Sequence, residues 1–226
     1  MFSFIKPPYP RRGNDRASLH TFAALLSLLV CASCSRRERI TTDVGVDDSP
    51  SFTAPHRKEG MQMLSFAADR VLPSKTPVKV WLFSDRLLAD PKFAMSASGG
   101  RDFAPLADFY IRKPVGRRDT FGAPLMRRFV EEAHRHKAEG ERVCFILVTD
   151  GGFTDLAEIK KISAELARCP AVAGVWVGPV ALQDNVQASV EDAFSPLAAQ
   201  GKLVVTNRLD TKPGAKRFKE MLYGKR

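Results

Sequence analysis

The sequence predicts an α/β fold: a doubly wound, mostly parallel sheet flanked by helices, in a single domain. Two observations carry this. In the second half of the chain, short apolar runs alternate with amphipathic helical stretches, and strands buried on both faces read as continuous apolar runs. One such run, "VCFILV" at 143–148, ends directly on Thr149, Asp150, Gly151 and Gly152. It delivers a carboxylate to the end of a buried strand, where open parallel sheets bind their ligands.

The domain is expected over 59–226. A first helix places Leu64, Ala67, Ala68 and Val71 at helical spacing and stops before Pro73. "VKVWLF" (78–83) reads as a strand, and "FYI" (109–111) as a short one. "RKPVGRR" (112–118) is a basic loop. "LMRRFVEEAHRHK" sets Leu125, Phe129 and Ala133 on one face of a helix, with His134 and His136 expected at its surface. After the 143–148 strand, "DLAEIKKISAELARC" aligns Leu156, Ile159, Ile162 and Leu166. A strand at 172–180, a helix at 190–200, a strand at 202–206 and a closing helix at 214–224 complete the alternation.

The N-terminal part reads differently. A basic stretch precedes "TFAALLSLLVCA", an apolar run too short to span a bilayer and suited to a signal-peptide core. Small residues before Cys34 resemble a bacterial lipobox, although Cys31 stands where that pattern prefers Leu. Residues 1–33 are therefore expected to be a signal peptide. Residues 34–58 are expected to be a lipidated N-terminus and flexible tether, with Cys34 carrying the lipid, because "SRRERITTDVGVDDSPSFTAPHRK" is polar and aperiodic. This places the protein in the bacterial cell envelope, lipid-anchored to a membrane and facing the periplasm or the exterior.

The whole chain of 226 residues carries a formal charge of +10. Lys6, Arg11, Arg12 and Arg16 against Asp15 account for a net three of these, so the chain from residue 34 keeps +7. That charge suits anionic headgroups, nucleic acid or an acidic protein, and equally a basic, well-solvated surface. No Gly-x-x-x-x-Gly-Lys-Ser/Thr phosphate loop and no Gly-x-Ser-x-Gly elbow occurs, and no catalytic constellation is evident.

"VCFILVTDGGFTDL" resembles the fourth strand and following loop of a von Willebrand factor type A domain. In that family a Thr-Asp-Gly turn supplies one acid of a metal-ion-dependent adhesion site. "RRDTFGAPLMRRF" (117–129) resembles the family's second loop, and "VKVWLFSDRL" (78–87) its first strand and loop. The resemblance implies a Rossmann-like fold and a divalent-ion site of Ser84, Asp85, Thr120 and Asp150. The family's first-loop signature is Asp-x-Ser-x-Ser, whereas 83–87 reads Phe-Ser-Asp-Arg-Leu, so the site is expected to be degenerate.

Two fillings of that rim stay open. One is Mg²⁺ or Mn²⁺, which takes about six oxygen ligands. The other is a cation from Arg112, Lys113, Arg117 or Arg118, paired with Asp150 in the metal's place; these four also form a candidate anion-binding loop. In the resembled fold Cys144 and Cys169 fall at one end of neighbouring strands, which implies a disulfide against the alternative of two buried thiols. The functional expectation is a membrane-tethered, non-enzymatic module that binds a protein partner rather than nucleic acid. The alternative is a metal-assisted phosphoester hydrolase using Asp85, Asp150 and Asp155.

Overall fold

The computed structural model describes residues 40–87, 90–112 and 119–224, with Arg112 and Asp184 described by backbone only. The expected signal peptide, Cys34, Lys113, Arg117 and Arg118 lie outside the described residues. All elements named below fall within the compact unit Arg39–Arg226.

Six strands form one sheet in the order β3-β2-β1-β4-β5-β6. They are β1 (Ile40–Asp47), β2 (Thr76–Phe83), β3 (Phe93–Ala97), β4 (Arg142–Val148), β5 (Val172–Val180) and β6 (Leu203–Asn207). All pairings are parallel except that of the edge strand β3 with β2. The helices are α1 (Ala54–Arg70), α2 (Ala104–Arg112), α3 (Ala123–Ala138), α4 (Leu156–Arg168), α5 (Asp184–Ala193), α6 (Ser195–Ala199) and α7 (Thr211–Tyr223).

Side-chain alternation along the strands divides the interior into two cores. Val44 and Val46 of β1 and Cys144, Ile146 and Val148 of β4 pack with Met63, Leu64, Tyr110 and Phe218 from α1, α2 and α7. Phe145 and Leu147 of β4 pack on the other face with Leu125, Phe129, Ile159 and Leu166 of α3 and α4. The Phe129 and Phe145 rings stack there at 4.3 Å between centroids. This is the doubly wound arrangement expected.

The largest departure is β1. The tether expected over 34–58 gives way at residue 40 to the strand lying between β2 and β4, with all eight of its residues buried. Its β-branched content suits a strand, and Ile40, Val44 and Val46 face one core. The opposite side carries Thr41, Asp43, Gly45 and Asp47. At Gly45 a Cβ would come 2.1 Å from Leu125 Cδ2, so the missing side chain lets α3 pack directly on the strand.

Residues 109–111, expected to be a strand, belong to α2. The single helix expected at 190–200 is two, α5 and α6, and α6 has Pro196 in its first turn.

The disulfide is overturned. Cys144 and Cys169 are free and buried, and they lie on opposite faces of the sheet. Cys144 belongs to the α1/α7 core, with its Sγ 3.3 Å from Thr42 Oγ1. Cys169 belongs to the α3/α4 core, with its Sγ 3.7 Å from the Ala133 carbonyl. Proximity of the two backbones cannot bring the sulfurs together when the side chains point to different sides. In a chain carrying Cys31→Ser and Cys34→Ser, denatured without reductant, thiol titration should find two free thiols. A finding of none would restore the bridge.

Candidate metal centre at the sheet rim

The carboxyl ends of β1, β2 and β4 are in register, with Asp47 beside Phe83 and Val46 beside Val148. Beyond them the chain reads Asp47-Asp48-Ser49-Pro50-Ser51. This is the Asp-x-Ser-x-Ser pattern sought at 83–87; it follows β1, not β2.

Asp47 is fully buried. Its Oδ1 accepts the Ser49 N–H at 2.8 Å, and its Oδ2 accepts the Thr149 hydroxyl at 2.8 Å. The Thr149 hydroxyl in turn accepts the Gly151 N–H at 3.0 Å. Asp47 and the Thr-Asp-Gly turn are thus joined by one short chain of hydrogen bonds. Gly151 has φ +86°, in the left-handed region where a side chain would be strained, and this turn sets Asp150 facing the β1 loop. Asp150 Oδ1 accepts the Gly152 N–H at 3.0 Å.

Ser49 Oγ lies 3.1 Å from Ser51 Oγ. A Cβ placed on Gly152 would stand 3.3 Å from Asp150 Oδ1 and 3.6 Å from Ser51 Oγ. Gly152 therefore backs a small space shared by the second acid and the second serine. Thr120 is buried and bridges to Phe153, and its carbonyl accepts the Thr154 N–H at 3.0 Å. That pairing brings the 120 loop against the loop carrying Asp150.

Two carboxylates at one buried rim make the site electrostatically costly without a cation. Burial pushes Asp47 up to about 7, and the nearby Asp150 adds to this, while the bonds from Ser49 and Thr149 oppose it. Asp47, Ser49, Ser51, Thr120 and Asp150 offer only oxygen, the donor set of a hard divalent ion.

The remaining expected residues stand elsewhere or do other work. Ser84 and Asp85 lie past the end of β2, where the Ser84 hydroxyl donates to Asp85 at 3.1 Å and the Ser84 carbonyl accepts the Phe121 N–H. They support the 120 loop, and Asp47 and Ser49 occupy the first-loop positions expected of them. Asp155 is committed to α3. Its carboxylate accepts the Gly122 and Ala123 N–H groups at 2.9 and 2.8 Å, capping that helix's first turn. The expected hydrolytic trio of Asp85, Asp150 and Asp155 is therefore not assembled as a ligand set. Arg57 of α1 also stands near this rim. It is buried, lies 3.6 Å from Asp48, and donates to the Phe52 and Tyr110 carbonyls.

No protein-family model and no curated protein matches the sequence. Solved structures do match. A von Willebrand factor type A protein from Catenulispora acidiphila superposes with TM-score 0.53 at 13% identity, covering 82% of this chain and 43% of that one. Proximal thread matrix protein 1 from the mussel byssus gives 0.52 at 16%, covering 81% and 47%. The fold is von Willebrand A-like. This chain spans less than half the length of either protein. Manganese-loaded TRAP protein from Plasmodium vivax gives 0.52 at 14% identity, covering 80% and 74%. A further form of the mussel protein, at 0.51 and 16% and covering 81% and 48%, has zinc in its adhesion-site motif.

The raised Asp47 makes a prediction about the metal-free protein. A carboxyl with a folded value near 7 holds its proton when the unfolded chain has already released it. Its contribution is therefore complete below the unfolded value near 4 and is lost as pH rises through about 7. In metal-free protein, Asp47→Asn should raise the melting temperature by several degrees at pH 7.5 and by much less at pH 4.5. An equal change at both pH values would show that Asp47 titrates normally.

Proposed function

We propose that this protein is a non-enzymatic binding module that engages a protein partner through a divalent cation held at the rim. The observation that carries this is the convergence of Asp47, Ser49, Ser51 and Asp150 at the carboxyl ends of β1 and β4, with the Thr120 loop bridged to the loop that carries Asp150. Mg²⁺ or Mn²⁺ suits these oxygens. Protein side chains can supply five, and an octahedral ion takes six, which leaves a position for a carboxylate of the partner. Metal-loaded structures of the same fold support this reading. Exposed apolar residues flank the site. Phe121 follows Thr120, and Leu182 follows Ala181, whose N–H donates to the Asp150 carbonyl at 2.8 Å. Such residues beside a polar anchor suit a protein surface better than a small anion.

The envelope location belongs to the same proposal. It rests on the lipobox-like residues that precede Cys34. No helix among the described residues is long and apolar enough to cross a membrane.

Calorimetric titration of Mg²⁺ or Mn²⁺ should show one saturable site. Asp150→Ala and Ser51→Ala should each weaken it at least tenfold, and Asp85→Ala should leave it nearly unchanged. Binding lost with Asp85 and kept without Ser51 would return the site to the β2 loop. For the anchor, labelled palmitate should enter the wild-type chain produced in a lipoprotein-processing bacterium and be absent from Cys34→Ala. An unlabelled wild type would remove the tether.

A further inference from the structure

We propose that Asp43, Glu132 and His136 form a second cation site, between β1 and α3, suited to a borderline transition metal such as Zn²⁺. Asp43 lies four residues before Asp47, roughly 13 Å back along the strand, so this site is separate from the rim. One ligand atom from each of the three residues lies within 4.8 Å of the others, so a closure of at most about 1.4 Å brings them to the ~3.4 Å spacing of tetrahedral donors about 2.1 Å from a common ion. All three are buried; Asp43 is 1% exposed and His136 is 3% exposed.

The second observation is an unmet carboxylate oxygen. Asp43 Oδ2 is buried and has no hydrogen-bond partner among the described residues. Leaving such an atom dry and unpaired is costly, and a metal ion would satisfy it.

Charge points the same way. Asp43, Glu132, Glu139 and Glu141 gather around His136, and Lys79 and Arg135 bond to carboxylates of this group. Carboxylates gathered this closely favour a cation among them.

The histidine is also oriented for the task. Its Nδ1 lies 3.1 Å from Glu141 Oε2, which suits an N–H donated to that carboxylate. Its Nε2 then faces inward as the acceptor, 2.7 Å from Arg135 Nη2. A carboxylate behind a ligating histidine fixes its tautomer and raises its basicity. Arg135 Nη2 also donates to Glu132 Oε2 at 2.7 Å, so the guanidinium bridges two of the three donors and stands in for the cation. Arg135 is partly exposed and already holds Glu139 through Nη1 at 2.8 and 2.9 Å. Swinging onto Glu139 would open the site without breaking that pair. One imidazole with two carboxylates favours Zn²⁺ over Mg²⁺, which prefers all-oxygen sites.

The test uses the full-length chain carrying Cys31→Ser and Cys34→Ser, which removes accessible thiolates, and Asp150→Ala, which disables the rim site. Calorimetry should show one equivalent of Zn²⁺ bound and no Mg²⁺. Adding Asp43→Asn or His136→Gln should weaken Zn²⁺ at least tenfold, with thermal melts confirming folded protein. Asp43→Asn keeps shape and removes a buried charge, so it decides the matter if His136→Gln does not fold. Absence of Zn²⁺ uptake with Asp43 and His136 intact would overturn the site, as would uptake undiminished by Asp43→Asn. Because the rim is already disabled, neither result depends on the rim binding metal.

Discussion

Among the described residues, the two halves of the sheet are hydrogen-bonded to each other only through residues 40–47. On one side β1 pairs with β2, which carries β3; on the other it pairs with β4, which leads to β5 and β6. Remove β1 and Val44 and Val46 leave the α1/α7 core, while the Thr-Asp-Gly turn loses the carboxylate that receives the Thr149 hydroxyl. The seating of this strand therefore fixes both the packing and the rim. Parallel pairing brings the ends of β1 and β4 to the same edge, and only then can Asp47 and Asp150 share a cation.

β1 is also two-sided in a way that explains where chemistry collects. Its Val44 and Val46 side is apolar and packs on α1 and α7. Its other side presents Thr41, Asp43, Gly45 and Asp47 toward α3. Gly45 lets Leu125 close on the strand and separates the two acids. One acid emerges at the rim among hydroxyls and backbone N–H groups. The other stays inside against Glu132, Lys79 and His136, where burial foremost, and then Glu132, pushes it up to about 7. Buried carboxylates on a central strand are costly, and each of these two stands where a cation would relieve the cost.

The second half of the fold was legible because its strands are continuous apolar runs and its helices carry clear stripes. The same stripe on α3 contains a signal for His136: it lies seven residues after Phe129 and three after Ala133, on the buried face. β1 was obscured because two aspartates and a glycine interrupt it and polar residues surround it. A whole-strand hydrophobicity reading rejects such a segment, whereas alternation detects it. Ile40, Thr42, Val44 and Val46 share one side, and the run ends on Asp-x-Ser-x-Ser. Asp150 and Thr120 stand out within their own loops, yet with β1 hidden the first loop of the sequence pattern falls one strand too late, at Ser84 and Asp85. The pairing of Cys144 with Cys169 failed for a different reason, since strand adjacency does not say which face a side chain takes.

The most direct test of the rim is anomalous diffraction at the manganese edge from crystals of this protein grown with Mn²⁺. A single strong peak at bonding distance from Ser49 Oγ and Ser51 Oγ, enclosed by Asp47, Thr120 and Asp150, is the expected result. A rim without such a peak, with an arginine of the 112–118 loop lying between Asp47 and Asp150, would contradict the cation-binding site.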